Sequence, residues 1–412
     1  MTLERRFLVL SALRWLPTGL LIPVTAVFML ERGLSLAQVG LVAGAQGVAV
    51  LLLELPTGGL ADSLGRRRVL LLAGALDVVA LALFVTSHSL VAFAVAWLVQ
   101  GAFRALDSGP LEAWYVDESL ADDAGADIER GIARAGTVVG IAISAGALGA
   151  AGLVATGRAV GTDALVLPVV AALVLRIVDL AAVAALLDET RHVVAESVRG
   201  AVRSGLRLVR RGRALRALVT VELVWGAGLV GVELLSGPRL AELFGNAEDG
   251  VVTLGVTAAI AWTISGLGSA ATGWLVVRCG SPAMAGVATR VAQGLAVAVM
   301  AVVVGPAGLV AGYLAFYLVH GAANAVHYGM VHRLVGPGER ATVLSVSSLT
   351  ARIGGTAADV GFGALAAGAG ISAAFWTSAL LLVAGAPLYV IAGRAHDGDR
   401  DARDAAAPHA TV

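Results

Sequence analysis

Gly58-Gly59-Leu60-Ala61-Asp62-Ser63-Leu64-Gly65-Arg66-Arg67-Arg68 is a charged, glycine-bounded turn set between two long apolar runs. Val39 to Leu55 before it holds one charge, Glu54, and Val69 to Val85 after it holds one, Asp77. Such runs read as membrane-spanning helices, each needing about 20 residues to cross the hydrocarbon. The consecutive arginines place the turn on the cytoplasmic side, because short loops rich in basic residues stay there.

Composition carries this local reading to the whole chain. Of 412 residues 58% are hydrophobic and only 14% charged, with a mean hydropathy of +0.86, whereas about 25% of the residues of a soluble protein are charged. The length accommodates roughly a dozen spans. The apolar runs do not alternate with a period of two, which excludes an outer-membrane barrel. The fold class is therefore an all-α polytopic membrane protein with twelve transmembrane helices in two six-helix halves. Cys279 is the only cysteine, so there is no disulfide framework and no zinc or redox pattern; no metal and no cofactor are expected. All 29 basic residues are arginine, the formal net charge is zero, and the bias fits a GC-rich genome better than a mechanism. Thr2 to Arg6 lacks a signal-peptide cleavage site and leads into a full-length span, read as an uncleaved first helix.

The spans fall near 8–30, 37–57, 69–87, 90–114, 132–156 and 164–187, then 216–240, 251–276, 282–304, 307–332, 342–367 and 371–393. The division is 1–188 for the first half, 189–215 for a cytoplasmic linker, 216–393 for the second half and 394–412 for a disordered cytoplasmic tail rich in Asp and Arg. The linker holds Arg191, Arg199, Arg203, Arg207, Arg210, Arg211 and Arg213, with Arg216 just beyond. Arg199, Arg203, Arg207 and Arg210 share one face of a helix, as on an amphipathic segment drawn to anionic lipid; nucleic acid is not an expected partner. With both termini inside, the outer loops hold Arg32, Arg158 and Arg239, and nearly all other loop arginines are cytoplasmic, as expected for a multi-pass protein of the plasma membrane. Gly273-Trp274-Leu275-Val276-Val277-Arg278-Cys279-Gly280 repeats the frame of Gly58 to Gly65, with Val277 in place of the acid, and Glu129-Arg130 has a counterpart in Glu339-Arg340. Parallel repeats of six helices account for both.

Charges inside a bilayer cost a few kcal/mol each and mark functional candidates. On the fourth span Trp97, Gln100, Arg104 and Asp107 share one face. Arg104 and Asp107 either neutralise each other as a structural pair or line a cavity, and the polarity of the face favours lining. The tenth span carries a stripe of Tyr313, Tyr317, His320, Asn324 and His327; its histidines are either proton-relay groups or neutral, hydrogen-bonded packing residues. The seventh contributes Glu222, Trp225 and Glu233, with Glu222 near enough to the inner end to be solvated. The first offers Arg14, Thr18 and Thr25, with Pro17 and Pro23 as kink sites; Arg14 either faces the cavity or snorkels to the interface. Arg176 and Asp179 read as a structural pair on the sixth span, while Arg352 and Asp359 sit on the eleventh.

The opening turn resembles the loop between helices 2 and 3 of the major facilitator superfamily, G-x-L-x-D-basic-x-G-basic-basic, with Ser63 where a basic residue is usual. The resemblance implies that spans 1, 4, 7 and 10, which carry these polar stripes, surround a central cavity. It also implies a cytoplasmic gate in which Gly58 and Gly65 allow the tight backbone and Asp62 and Arg66 join Glu112 and Asp117 at the inner end of the fourth span. On that span Gln100-Gly101 fits the superfamily's R-x-x-Q-G-x-x-A motif, with Trp97 in the arginine position and Arg104 further along the same face. The glycine-rich fifth span lacks the G-P dipeptide of many drug/proton antiporters. No nucleotide-binding P-loop is present, since that motif requires lysine. The expectation is a monomeric secondary transporter, not an enzyme: proton-coupled export of an amphiphilic drug or natural product, with Asp107, Glu222 and His320 as coupling candidates. The alternative is a proton-coupled importer or uniporter of a small metabolite. A membrane sensor or an enzyme on this fold has no nucleophile, metal constellation or soluble domain to support it.

Overall fold

A computed structural model describes residues 1–57, 60, 64–189, 207, 209–210, 212–336 and 339–395. Gly58, Asp62, Arg191, Arg199, Arg203, Arg211 and the tail beyond 395 lie outside the described residues. All regular structure among the described residues is helical. Ten elements are long and apolar enough to cross a membrane, and the bent pair Leu3–Leu21 and Thr25–Glu31 makes an eleventh crossing. The remaining crossing, Arg340–Ala369, is 30 residues long but more polar, carrying Arg352, Asp359 and several Ser and Thr.

In order, the first span is that bent pair and the second Leu36–Thr57. The third is Arg66–Thr86, the fourth Leu90–Asp107, the fifth Ile128–Val160 and the sixth Val166–Leu186. The second half runs Arg213–Phe244, Ala247–Ala270 with the short Thr272–Cys279, Pro282–Val302, Pro306–Leu334, Arg340–Ala369 and Ile371–Ala395. Arg239 thus lies inside the seventh span and not in a loop. The first span bends by 41° where Pro23 cannot donate a helical hydrogen bond. Thr25 Oγ1 donates to the Leu21 carbonyl at 2.7 Å and helps satisfy the interrupted turn.

The fourth span is not one helix over 90–114. It stops at Asp107, and a separate helix, Pro110–Asp122, follows. Gly109 takes φ +97°, which a Cβ would strain, and Pro110 suits the first turn of a new helix because its missing N–H has no partner there. Glu112 and Asp117 therefore belong to this second segment. The closing glycines of the paired frames both take positive φ but differ in ψ: Gly65 has φ +89° and ψ 144° before the third span, and Gly280 has φ +78° and ψ −16° in the left-handed region at the end of Thr272–Cys279.

Close glycine contacts set the packing. A Cβ on Gly354 would meet the Leu223 carbonyl oxygen at 2.0 Å, and one on Gly226 would meet that of Ala351 at 2.1 Å, so the seventh and eleventh spans touch backbone to backbone. Small residues that permit such approach take the place of a hydrophobic driving force between helices in lipid. The halves meet mainly where the second span lies on the eleventh and the fifth on the eighth. Gly40 against Asp359 and Gly363, and Gly255 against Ala147, bring those backbones together.

The two faces of the molecule differ. On the face away from the termini one apolar cluster draws on both halves, from Val27, Phe28, Phe84, Phe93 and Trp97 to Leu235, Val251, Phe316 and Phe375. Arg158 on the fifth span reaches Asp249 on the eighth at 2.6 Å across the same face. On the termini face the clusters separate: Phe7, Leu10, Leu70, Trp114 and Tyr115 belong to the first half alone, and Leu218, Val331, Val343 and Tyr389 to the second. The protein is sealed at one end and parted at the other.

Gly354→Val inserts a branched side chain against the Leu223 carbonyl. The expected loss is about 1–3 kcal/mol, read as a lower unfolding temperature of the detergent-purified protein, while Gly361→Val, where a Cβ meets nothing, stays near wild type.

Candidate functional site: charge networks around a central cavity

Each charged side chain that enters the membrane region needs a partner, because an uncompensated ion there is expensive. Arg14 on the first span is 7% exposed and donates through Nε to Asp107 Oδ2 at 2.7 Å, with a second contact between the same groups. Asp107 is thus taken by the first span and not by Arg104 one turn away, and Arg14 does not snorkel. Arg176 on the sixth span is held by Asp77 Oδ2 on the third at 2.6 Å and by Asp179 Oδ2 at 2.9 Å, with all three almost fully buried. Arg176 also donates to the Arg14 carbonyl at 3.3 Å and lies 4.8 Å from the Phe103 ring centroid, joining the two networks.

The second half repeats the plan with different chemistry. Glu222 on the seventh span is 2% exposed, not solvated, and its Oε1 lies 2.9 Å from His327 Nε2 on the tenth. His327 Nδ1 lies 3.0 Å from the Tyr389 hydroxyl on the twelfth. Arg290 on the ninth donates to that hydroxyl at 3.3 Å and to Gln293 Oε1 at 2.7 Å. The links of spans 1 to 4 and 3 to 6 thus reappear as 7 to 10 and 9 to 12. Arg290, Gln293 and Tyr389 were not among the residues singled out by spacing, although a lone arginine within an apolar run is by itself a signal.

A cavity of about 450 Å³ opens beside the first network. Arg14, Trp15, Thr18, Gln100, Arg104, Asp107 and Glu112 line it from the first half, Arg176 reaches it, and Arg352 enters from the second. Gln100 is hydrogen-bonded to Gln46 of the second span. Trp97, on the same sequence stripe, packs instead against Phe84, ring centroids 4.3 Å apart, within the sealed cluster. Tyr313 and Tyr317 are also in that cluster and stack at 4.9 Å. His320 lies 3.0 Å from Asn324, with the Trp225 ring at 5.7 Å and the Tyr317 ring at 5.6 Å, so it borders the sealed cluster on the second half. Glu233 is exposed, within the field of Arg104 and in reach of the Tyr317 hydroxyl, but it does not line this cavity.

At the termini face Arg66 pairs with Asp117, and Glu189 accepts from the backbone N–H groups of Arg66 and Arg67 at 2.8 and 3.2 Å, where an acid suits a helix N-terminus. Arg67 donates to the Ala184 carbonyl at 2.6 Å, so it does more than set topology. Glu112 is exposed and lines the cavity. Arg352 lies 3.5 Å from Glu54 of the second span, not against Asp359, and bridges the halves. Among the described residues no group of His, Cys, Asp and Glu is arranged to hold a metal ion.

The sequence profile of the Major Facilitator Superfamily matches residues 7–358. The chain belongs to that superfamily. Of solved structures, the nucleoside transporter NupG superposes with a TM-score of 0.75 at 15% identity, covering 96% of this chain and 99% of that one. A bacterial homologue of the human lysosomal transporter Spinster, inward-facing and unoccupied, gives 0.73 at 15% identity, with 95% and 96% covered. The human organic anion transporter MFSD10 (TETRAN) gives 0.63 at 19% identity, with 94% and 100% covered. At these identities the likeness is one of fold. No curated protein matches the chain by sequence. As a superfamily member it is a membrane transporter, and these structures are likewise transporters and not enzymes.

Arg176→Ala leaves Asp77 and Asp179 as buried carboxylates without a cation. The expected cost is about 3–5 kcal/mol, seen as a large drop in unfolding temperature; adding Asp77→Asn and Asp179→Asn to the same chain recovers most of it.

Proposed function

We propose that the protein is a secondary active transporter of small amphiphilic molecules that works by alternating access, and that it exports them from the cell in exchange for protons. The observation that carries this reading is the difference between the two faces: both halves share one apolar seal at the outer end, while at the termini end each keeps its own core and a charged cavity lies between them. This is one end state of two halves rocking about a central site. The distribution of arginine over the loops supports a plasma-membrane protein with both termini cytoplasmic, so the parted face opens inward. The seal consists of packed apolar side chains and one partly exposed ion pair, which can be broken and remade without unfolding either half.

Asp107 and Glu222 are the proposed coupling carboxylates. Each sits at a contact between a first- and fourth-type span, Asp107 against Arg14 and Glu222 against His327. Protonation of either removes the charge holding its partner and alters how that pair of helices packs. His320 is a weaker candidate, being held with Asn324 and Trp225 away from both carboxylates. Arg66 with Asp117 is the gating pair supported by contact, with Gly65 providing the turn before the third span. Import or uniport of a metabolite uses the same architecture; direction of flux separates the two.

In proteoliposomes, a pH gradient is expected to drive uphill movement of the substrate and an uncoupler to abolish it. Asp107→Asn and Glu222→Gln should each lose gradient-driven flux while keeping exchange down a substrate gradient; if both variants still concentrate substrate, the coupling assignment fails. Removing the outer latch with Arg158→Ala should raise labelling of a single cysteine placed on the sealed face, in a Cys279→Ser background, by up to about fivefold.

A further inference from the structure

Four arginines reach the cavity wall, and their pairing is unequal. Arg14 has Asp107, Arg176 has Asp77 and Asp179, and Arg352 has Glu54. Arg104 has no carboxylate within 4.0 Å and makes no hydrogen bond to any described residue. Its nitrogen atoms are not among the enclosed, unpartnered ones, so its donor fork lies open to the cavity. Arg352 presents a like charge to Arg104 from the opposite half, and Asp77 and Glu233 act on it with the opposite sign. Arg352 is itself poorly satisfied: its Nε is buried without a hydrogen-bond partner and stands 3.5 Å from Glu54 Oε2.

We infer that the cavity takes a substrate with an anionic group, a carboxylate, phosphate or sulfonate, bound by the open guanidinium of Arg104 and facing Arg352 across the cleft. This rests on the transport reading above and adds the charge of the cargo to it. A guanidinium offers parallel N–H donors matched to such oxyanions, and the attraction is stronger in a partly desolvated pocket than in water. An anion here also removes the repulsion between Arg104 and Arg352, so its binding favours approach of the two halves at the parted face. Trp15 and Phe103, which also line the cavity, supply apolar surface for the remainder of an amphiphilic acid. A cation is the less fitting cargo, because of the carboxylates lining this cavity Asp107 is held by Arg14, and exposed Glu112 is outnumbered by the four arginines.

The test is ligand-induced thermal stabilisation of the purified full chain, using organic carboxylates, phosphates and sulfonates, each paired with its neutral amide or alcohol and with the corresponding amine. Stabilisation is expected from anions only. Arg104→Gln should weaken it about ten- to hundredfold without moving the ligand-free unfolding temperature by much, and Arg104→Lys should retain part. Arg352→Gln serves as an independent variant should Arg104→Gln fail to fold, and is expected to weaken the same anions. The proposal is overturned if the compounds that bind are neutral or cationic, if no anion binds at millimolar concentration, or if anions bind both glutamine variants as well as wild type. Flux of the best binder into proteoliposomes separates the two levels of argument. Anion binding that needs Arg104, without flux, sinks the transport reading and leaves the anion site standing. Flux of uncharged compounds that Arg104→Gln does not alter does the reverse.

Discussion

A guanidinium inside a bilayer cannot be hydrated by lipid, so it must find its counter-charge within the protein or face a water-filled cavity. Arg176 meets that constraint by drawing Asp77 from the third span and Asp179 from its own helix into a pocket closed to solvent, and by reaching the Arg14 backbone on the first. Three spans are thereby fixed in register by one side chain. Such a pair is not a large net source of stability, since its desolvation offsets much of its attraction. Its value is geometric: few other arrangements of these helices satisfy the same charges. Arg14 with Asp107 then carries the register to the fourth span, and the cavity wall follows from it.

The second half holds the same helices together by a different set of groups. Glu222, His327, Tyr389 and Arg290 occupy the positions of the first network on spans 7, 10, 12 and 9, but the polarity of the link between the first- and fourth-type spans is reversed, and a histidine replaces an aspartate. Arginine remains charged at any physiological pH, whereas histidine changes charge within it. The pattern of linked spans is therefore repeated between the halves with different groups.

Much of the architecture is legible in the amino-acid sequence because hydrophobic length and arginine placement are strong, local signals. The turn at Gly58 to Arg68, the glycine frame repeated at Gly273 to Gly280 and the polar stripes on every third span lead to twelve helices in two halves. Partnership is less legible. Asp107 lies three residues from Arg104, a spacing that suits a local pair, yet it is held by Arg14, 93 residues away. Likewise Glu222 is placed at the inner end of its span by position, and its burial depends on His327 arriving from another helix. Trp97 shares a helix face with Gln100, but a face spans more than one neighbour, and the outer part of this one meets Phe84. These pairings are properties of packing between distant segments, which periodicity along one helix does not encode.

The break at Ser108-Gly109 gives the fourth span a joint. Arg104 and Asp107 end one rod, and Pro110–Asp122 begins another, bound to the first half through the Trp114 indole on the Asp188 carbonyl and the Tyr115 ring on Phe7. Left-handed Gly109 stands between them. The second rod gives Glu112 to the cavity wall and Asp117 to the charged rim, so a change of angle at Gly109 moves both against Arg104 and Asp107.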